Sequence, residues 1–452
     1  MRLLIFSIAF FFLSNLEAKE LFTQEHILKY FNLENPFVYT ALGEKYIYKE
    51  KEKYQLGNFD TNLALKYEKK EYPVSDGEFY STAIEKPIEN GMEFSLAYRK
   101  AEGTQEYNNI KTGDDGEVLL GVKVPVFSVT HNISKRKLDL GSARLDTTRM
   151  DYQTKDNIRL LYFDTVAAYY RLLYFKENLQ LVKELLDNAK QRESIIIKRV
   201  KAGSLAEIST LEAKQQIINR QQQLLSTQNS YQNALESFTQ YLNLSSDRFL
   251  HDYMLPSLLD VKQNYIETDS SIEQALENRP DLKVFYYDKK KLDLEEKFTS
   301  VSKYPDLNVG LYGVHDFQYE NGFKVTLGMD FPIERRKYLG KSLEIKKSKQ
   351  NIDKKKEKKI INIKTELNTI NNSIKTLVSN MDNAELEVGL VEELEAAETK
   401  RYNIGLSNLF ILNQREMYTL GVKKKFLKYN LDYLILQEEL NKIVAKPVDG
   451  LL

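Results

Sequence analysis

Two hydrophobic patterns alternate along this chain, and each occurs twice. In the first half Leu63, Leu65 and Tyr67 are set against Asn62, Lys66 and Glu68, and Phe94, Leu96 and Tyr98 against Glu93, Ser95 and Arg99. A two-residue period predicts half-buried strands. Residues 118–125 either extend this sheet or lead into the next helix. In the second half, residues 306–314 and 323–331 form another predicted strand pair, joined around Tyr319-Glu-Asn-Gly322, where Asn-Gly is a hairpin signal. Its apolar positions are Leu307, Val309, Leu311 and Val314 on one strand and Val325, Leu327, Met329 and Phe331 on the other. Asn308, Lys324, Thr326 and Asp330 fall on the opposite face.

Between and after these strands the period lengthens. From Ile158 a stripe at spacings of three and four runs through Leu161, Thr165, Ala168, Leu172, Phe175, Leu179, Val182, Leu186, Ala189, Glu193, Ile196 and Val200. Its counterpart is Ile363, Leu367, Ile370, Ile374, Leu377, Met381, Ala384, Val388 and Val391. A sustained repeat of this kind is the signature of coiled-coil packing. Residues 141–203, if fully helical, would extend roughly 90 Å at about 1.5 Å per residue. Returning helices are expected over residues 206–242 and 407–444. An earlier helical stretch over residues 23–54 is interrupted near Asn35-Pro36. Residues 245–269 read as a connector, and Ser271 opens a further helical segment.

The chain therefore states one unit twice. Val118-Leu-Leu-Gly-Val-Lys-Val-Pro-Val126 is echoed by Val325-Thr-Leu-Gly-Met-Asp-Phe-Pro-Ile333, and Arg199-Val-Lys-Ala-Gly203 by Arg401-Tyr-Asn-Ile-Gly405. The copies lie roughly two hundred residues apart, far beyond any solenoid period. The expected fold is α+β and mainly α: a duplicated unit of strand hairpin plus long coiled-coil helical hairpin. The first unit is 19–244, with strands over about 59–125 and a helical hairpin over about 141–244. The second is 245–452, with strands over about 304–333 and a helical hairpin over about 340–445.

Two strand hairpins give four strands, too few to close a barrel, and an open sheet edge cannot face lipid. If the strands lie in a membrane, several copies must share one barrel: eight strands from two copies, twelve from three. A half-buried soluble sheet satisfies the same alternation.

Composition narrows the address. Residues 1–18 read as a secretory signal, with Arg2 ahead of an apolar stretch over 3–13. No later run approaches the length of a spanning helix. The 65 basic and 65 acidic side chains balance, which gives no reason to expect nucleic acid as a partner. The chain has no cysteine, so disulfides and thiolate metal sites are excluded. His26, His131, His251 and His315 show no ligand spacing, and no nucleophile elbow, phosphate loop or zinc motif occurs. No catalytic, cofactor or metal site is expected. The Lys-rich stretch over 346–359 and the cluster Glu392, Glu393, Glu395 and Glu398 read as solvated helix faces, with lipid binding and a cation-selective mouth as the sharper alternatives.

In this order, the motifs resemble those of the TolC family, the outer-membrane exit ducts of Gram-negative efflux pumps and type I secretion systems. The carriers are Gly121-Val-Lys-Val-Pro125, Arg199-x-x-x-Gly203, Arg279-Pro-Asp-Leu282, Gly328-Met-Asp-Phe-Pro-Ile333 and the run from Arg401 to Glu416. The resemblance implies a homotrimer with a twelve-stranded transmembrane β-barrel continuous with a periplasmic α-helical barrel. It also implies a periplasmic adaptor (membrane fusion) protein and a proton-driven or ATP-driven inner-membrane transporter as partners. Arg199, Gly203, Arg401, Tyr402, Gly405 and Gln414 would lie at the periplasmic tip, at the adaptor contact or gate. Many family members place acidic residues just after the second turn, but residues 409–414 contain none. Leu63, Leu65, Phe94, Leu96, Leu307, Val309 and Leu327 are expected to face outer-membrane lipid. The competing readings are a periplasmic adaptor and a structural coiled-coil protein of the envelope.

Overall fold

The structure, a computed structural model, describes residues 19–71, 73, 76–103, 111–261, 271–448, 450 and 451. The expected signal over residues 1–18 and part of the expected connector lie outside the described residues. The strands are β1 (Glu20–Leu21), β2 (Asn62–Lys70), β3 (Gly77–Pro87), β4 (Glu93–Gly103), β5 (Glu117–Pro125), β6 (Tyr253–Met254), β7 (Asp306–Asp316) and β8 (Asn321–Asp330). The helices are α1 (Pro36–Leu56), α2 (Val126–Thr130), α3 (Lys135–Lys201), α4 (Ile208–Thr239), α5 (Ser246–Asp252), α6 (Ser271–Asn278), α7 (Pro280–Val301), α8 (Arg336–Asn403) and α9 (Leu409–Ile443). Among the described residues no helix is long and apolar enough to cross a membrane.

Two compact units emerge: Met1–Tyr39, Arg159–Ser271 and Glu366–Leu452 form one, and Thr40–Ile158 and Ile272–Thr365 the other. Each draws segments from both halves of the sequence.

The long helices follow the predicted stripes. α3 has 67 residues and α8 has 68, the near-equality a duplication requires. Ile158, Leu172, Val182, Leu186, Ala189 and Ile196 of α3 are buried, as are Ile363, Leu367, Ile370, Ile374, Ala384 and Val391 of α8. Thr165, which interrupts the apolar pattern, is fully buried and donates its hydroxyl to the Leu161 carbonyl at 2.8 Å. That bond satisfies the hydroxyl within its own helix. In the first unit an aromatic cluster of Phe22, Tyr169, Phe238 and Phe249 anchors the early chain. β1 pairs in parallel with β6 there, and the Tyr169 hydroxyl donates to the Phe22 carbonyl at 2.7 Å.

The sheet of the second unit is larger than expected. It has six strands, not four, in the order β2-β3-β4-β5-β7-β8, every neighbouring pair antiparallel. β3 escaped the periodicity because Phe79 and Ala83 sit on its otherwise polar side while Thr82 sits among the apolar positions. β5 extends the sheet, pairing with β4 and β7. Two smaller points also differ. Val314 opposes Leu119 and Gly322 on the polar face rather than joining Leu307, Val309 and Leu311. Asn321 and Gly322 open β8, so the reversal is made by residues 317–320.

The Lys-rich start of α8 is only partly solvated. Lys349 reaches Asp293 at 2.5 Å and Glu296 at 2.6 Å on α7, and Lys359 reaches Asp281 at 3.0 Å. The Arg-Pro-Asp-Leu motif explains α7's start: Pro280 occupies its first turn, and Arg279 grips Asp281 through Nε at 3.0 Å and Nη2 at 2.7 Å. Burial pushes the Asp281 carboxyl up, but Arg279 and Lys359 outweigh it and hold it below the usual carboxylate range.

Candidate functional site

The two long-helix turns are built alike and lie together in the first unit. Gly203 has φ +74° and Gly405 φ +81°, the left-handed region that glycine occupies without penalty. Ser204 N–H donates to the Arg199 carbonyl at 2.9 Å and Gly203 N–H to the Val200 carbonyl at 2.9 Å. Leu406 N–H donates to the Arg401 carbonyl at 2.8 Å and Gly405 N–H to the Tyr402 carbonyl at 3.1 Å. This paired six-to-one and five-to-two pattern is the Schellman cap. It accounts for the Arg-x-x-x-Gly spacing: each arginine supplies the carbonyl that closes its own helix, with its cation in the last turn where the helix dipole favours it.

The two arginine side chains differ. Arg199 donates from Nη2 to the carbonyl of Asn403, the last residue of α8, at 3.1 Å, so it caps the other hairpin. Arg401 is exposed and lies 3.5 Å from Glu398 of its own helix. Glu398 is buried and accepts from the Ser407 hydroxyl, which removes it from the expected solvated face. Tyr402, expected at the tip at the adaptor contact or gate, is only 8% exposed and packs with Ile196, Ala213, Leu409 and Leu412. Gln414 is exposed on α9.

The buried charge centre of this unit is Glu416, which the sequence motifs do not single out. It is 4% exposed and lies between Arg192 of α3 and Arg220 of α4, itself 1% exposed. Arg220 donates from Nη2 to Glu416 Oε2 at 2.5 Å and to Asn413 Oδ1 at 3.1 Å, and from Nη1 to the Leu185 carbonyl at 3.0 Å. Arg192 grips both Glu416 oxygens and reaches Asn413 Oδ1 at 3.4 Å. The network ties three helices together. Its signal was available: an unpaired-looking Asn-x-x-Glu on the apolar face of α9, with arginines on the apolar faces of α3 and α4.

In the second unit, all seven strand residues expected to share one face do so. Cross-strand registers run Leu63–Ile84–Leu96–Leu120 and Leu65–Thr82–Tyr98–Val118 in the first half, and Val309–Leu327 and Leu307–Met329 in the second. Val124 opposite Val309 and Val122 opposite Leu311 join the two sets. The reverse face carries Lys66, Glu85, Ser95, Arg99, Lys123 and Lys324. Much of the apolar face is exposed, most of all toward its outer strands: Leu65 is 72% exposed, Leu327 74% and Phe323 85%, while Leu307 and Val309 are half-buried. Phe94 and Leu96 are likewise exposed.

Helices in the first unit also leave apolar stripes uncovered. Leu211, Ile218 and Leu225 recur every seventh residue on α4, and Leu386, Leu390 and Leu394 every fourth on α8; all are exposed. Such stripes are seams that another helix is needed to cover. Among the described residues no cluster of His, Cys, Asp and Glu could hold a metal ion.

Known proteins share this architecture. A family profile described as outer membrane efflux protein matches residues 94–244. The toxin and drug export protein A of Aggregatibacter actinomycetemcomitans is 23% identical over 221 residues, 49% of this chain; the match spans about half of that relative, 48% of its length. Among solved structures, the CmeC outer membrane channel of Campylobacter jejuni superposes with a TM-score of 0.71 at 13% identity, covering 95% of this chain and 86% of CmeC. The outer membrane protein VceC of Vibrio cholerae gives 0.67 at 13% identity, covering 93% and 95%. The open-state MtrE channel of Neisseria gonorrhoeae gives 0.70 at 12% identity, covering 95% and 89%. These likenesses establish the fold. The efflux profile over residues 94–244 and this fold over at least 93% of its length are what the chain shares with outer membrane efflux proteins.

Proposed function

We propose that this protein is the outer-membrane exit duct of a tripartite efflux pump or type I secretion system. It conducts substrate passively from an inner-membrane transporter and a periplasmic adaptor to the exterior. The observation that carries this reading is the largely exposed apolar face running across the sheet, backed by a polar face on every strand. In water such a face would be a severe liability. In a bilayer it is a lipid contact, and the polar reverse becomes the lining of a wet lumen. The exposed edges and the heptad stripes both ask for further copies of the chain, and we assign a homotrimer. A periplasmic adaptor or an envelope coiled coil has no use for such a sheet face.

Under this reading residues 1–18 are the export signal, and 19–244 and 245–452 are the two efflux repeats. The Schellman turns at Gly203 and Gly405 form the periplasmic tip. Arg401 and Gln414 are exposed there for an adaptor, while Arg199 and Tyr402 hold the turns in place. No chemistry on substrate is assigned; energy comes from the transporter, whether proton-driven or ATP-driven. The test is membrane fractionation joined to native mass measurement and an export assay in a deletion strain. A heat-modifiable trimer in the outer membrane, with export lost on deletion, is expected. A folded monomer outside the membrane fraction would overturn the assignment.

A further inference from the structure

We propose that all six strands of each chain enter the barrel wall. β2 of one copy then pairs with β8 of the next, and the trimer assigned above closes eighteen strands rather than twelve. The inference rests on the channel reading but is separable from it.

The β2–β3 hairpin is built as wall. Every residue of β3 is in register with β4, from Gly77 opposite Gly103 to Pro87 opposite Glu93. The turn between them is fastened: Ile88 N–H donates to the Met92 carbonyl at 2.9 Å, and the Ser134 hydroxyl at the head of α3 donates to the Glu89 carbonyl at 2.8 Å. A four-stranded wall would need β4 to surrender this ladder and accept a neighbouring chain instead. The hairpin also shares the sheet's two-sided character, with Leu63, Leu65 and Ile84 on the apolar face and Lys66, Ser81 and Glu85 on the polar one.

The two outer edges fit each other. Six strands alternating in direction leave β2 and β8 antiparallel, so successive copies can join by an ordinary antiparallel ladder. On both strands the odd-numbered residues occupy the apolar face, so any register that opposes odd to odd keeps that face continuous around a ring. With Asn62 set opposite Asp330, the two strand ends coincide and Glu68 falls opposite Lys324. β2 has nine residues and β8 ten, and neither contains proline. Left free, long apolar edges of this kind template aggregation, and in lipid their backbone groups would go unsatisfied. A second copy of the chain is the occupant that resolves both.

The chain has no cysteine, so the test can be made on the full-length protein. Ala64→Cys is combined with Gly328→Cys for the end-matched register, and with Thr326→Cys or Lys324→Cys for registers shifted by two and four. Oxidised outer-membrane trimers are then run under denaturing conditions. Cross-linked dimers and trimers from at least one pair are expected, and electron microscopy should show a barrel about 1.5-fold wider than a twelve-stranded one, since diameter grows roughly linearly with strand number. Cross-linking of Ala97→Cys on β4 to Thr326→Cys of another copy, or folded trimers without any β2–β8 link, would overturn six-strand closure and leave the channel assignment standing. A wild-type chain that is neither trimeric nor membrane-bound would overturn both.

Discussion

Leu96 and Ser95 are neighbours on β4 with opposite fates, and replacing each with arginine tests the sheet's orientation. Leu96 stands on the apolar face between Ile84 and Leu120. Eleven residues of β4 rise about 3.4 Å each and, tilted about 40°, give a height of roughly 26 Å, close to the ~25 Å of an apolar belt. Leu96 is three residues in from Glu93, hence about 8 Å from one rim and about 5 Å short of the mid-plane. An arginine costs about 2–4 kcal/mol at the mid-plane and about 0–1 near the rims, so about 2–3 kcal/mol is expected here. That is a roughly 30- to 140-fold fall in the folded-to-unfolded ratio.

Ser95 lies between Glu85 and Gly121 on the polar face, and the Tyr312 ring covers Gly121. Arginine there gains a cross-strand carboxylate, worth about 0.2–1 kcal/mol. Ser95→Arg should therefore be neutral or mildly stabilising. The measurement is denaturant unfolding in phosphatidylcholine vesicles, checked against the yield of heat-modifiable trimer in cells. Equal losses for the two variants, or a larger loss for Ser95→Arg, would refute the assignment of the apolar face to lipid.

Three further outcomes follow from the helical parts. Glu416→Gln leaves Arg192 and Arg220 without a counter-charge and should cost about 3–5 kcal/mol, seen as a lower midpoint in denaturant, whereas the triple change Arg192→Leu, Arg220→Met, Glu416→Leu should recover much of it. Gly405→Val forces a branched side chain into left-handed geometry at a cost of about 1–2 kcal/mol; trimers should still form, but cross-linking to the adaptor and export should fall, and normal export would remove the tip from function. Asp281 has a folded pKa held below its unfolded value, so its stabilisation is complete above the ordinary aspartate range near pH ~4 and is lost as pH falls through the depressed pKa. Acid unfolding should accordingly be shallower in Asp281→Asn than in the wild type, as followed by circular dichroism.

The long helices and the Gly turns were legible in the sequence because each rests on many residues saying the same thing. Heptad stripes repeat over both long helices, and Arg-x-x-x-Gly marks a cap whose bonds are local. β3 was not legible because its period is broken from within by Phe79, Thr82 and Ala83. Strand identity there is set by cross-strand partners rather than by its own alternation. The burial of Glu398 and Tyr402 was not legible for a related reason: it depends on how the chain reverses after Gly405 and on contacts with α3 and α4. Glu416 closes the run from Arg401 to Glu416, but its meaning depends on two arginines far away in the chain.

The repeat itself shows why that matters. Superposing Gly203 on Gly405 aligns Lys214 with Glu416, Leu211 with Asn413 and Val422 with Arg220. Backbone features thus recur in both copies: the Schellman bonds, the left-handed glycines, the equal long helices. The buried charges do not recur. Nor does the extra strand pair, since among the described residues β2 and β3 have no counterpart ahead of β7. What a helical hairpin needs in order to turn is present in both repeats, whereas what makes one hairpin hold the other is not. Arg220 and Arg192 lie in the first repeat of the sequence and Glu416 in the second, so the bond between hairpins joins positions at which the two repeats differ. A second bond runs the same way, with Arg199 of the first copy capping the end of α8 in the second. If the tip opens by parting the two hairpins, both contacts must break. Variants at Arg192, Arg199 and Arg220 are therefore expected to change opening more than their counterparts in the second copy, where Leu394, Arg401 and Val422 make no bond to the other hairpin among the described contacts.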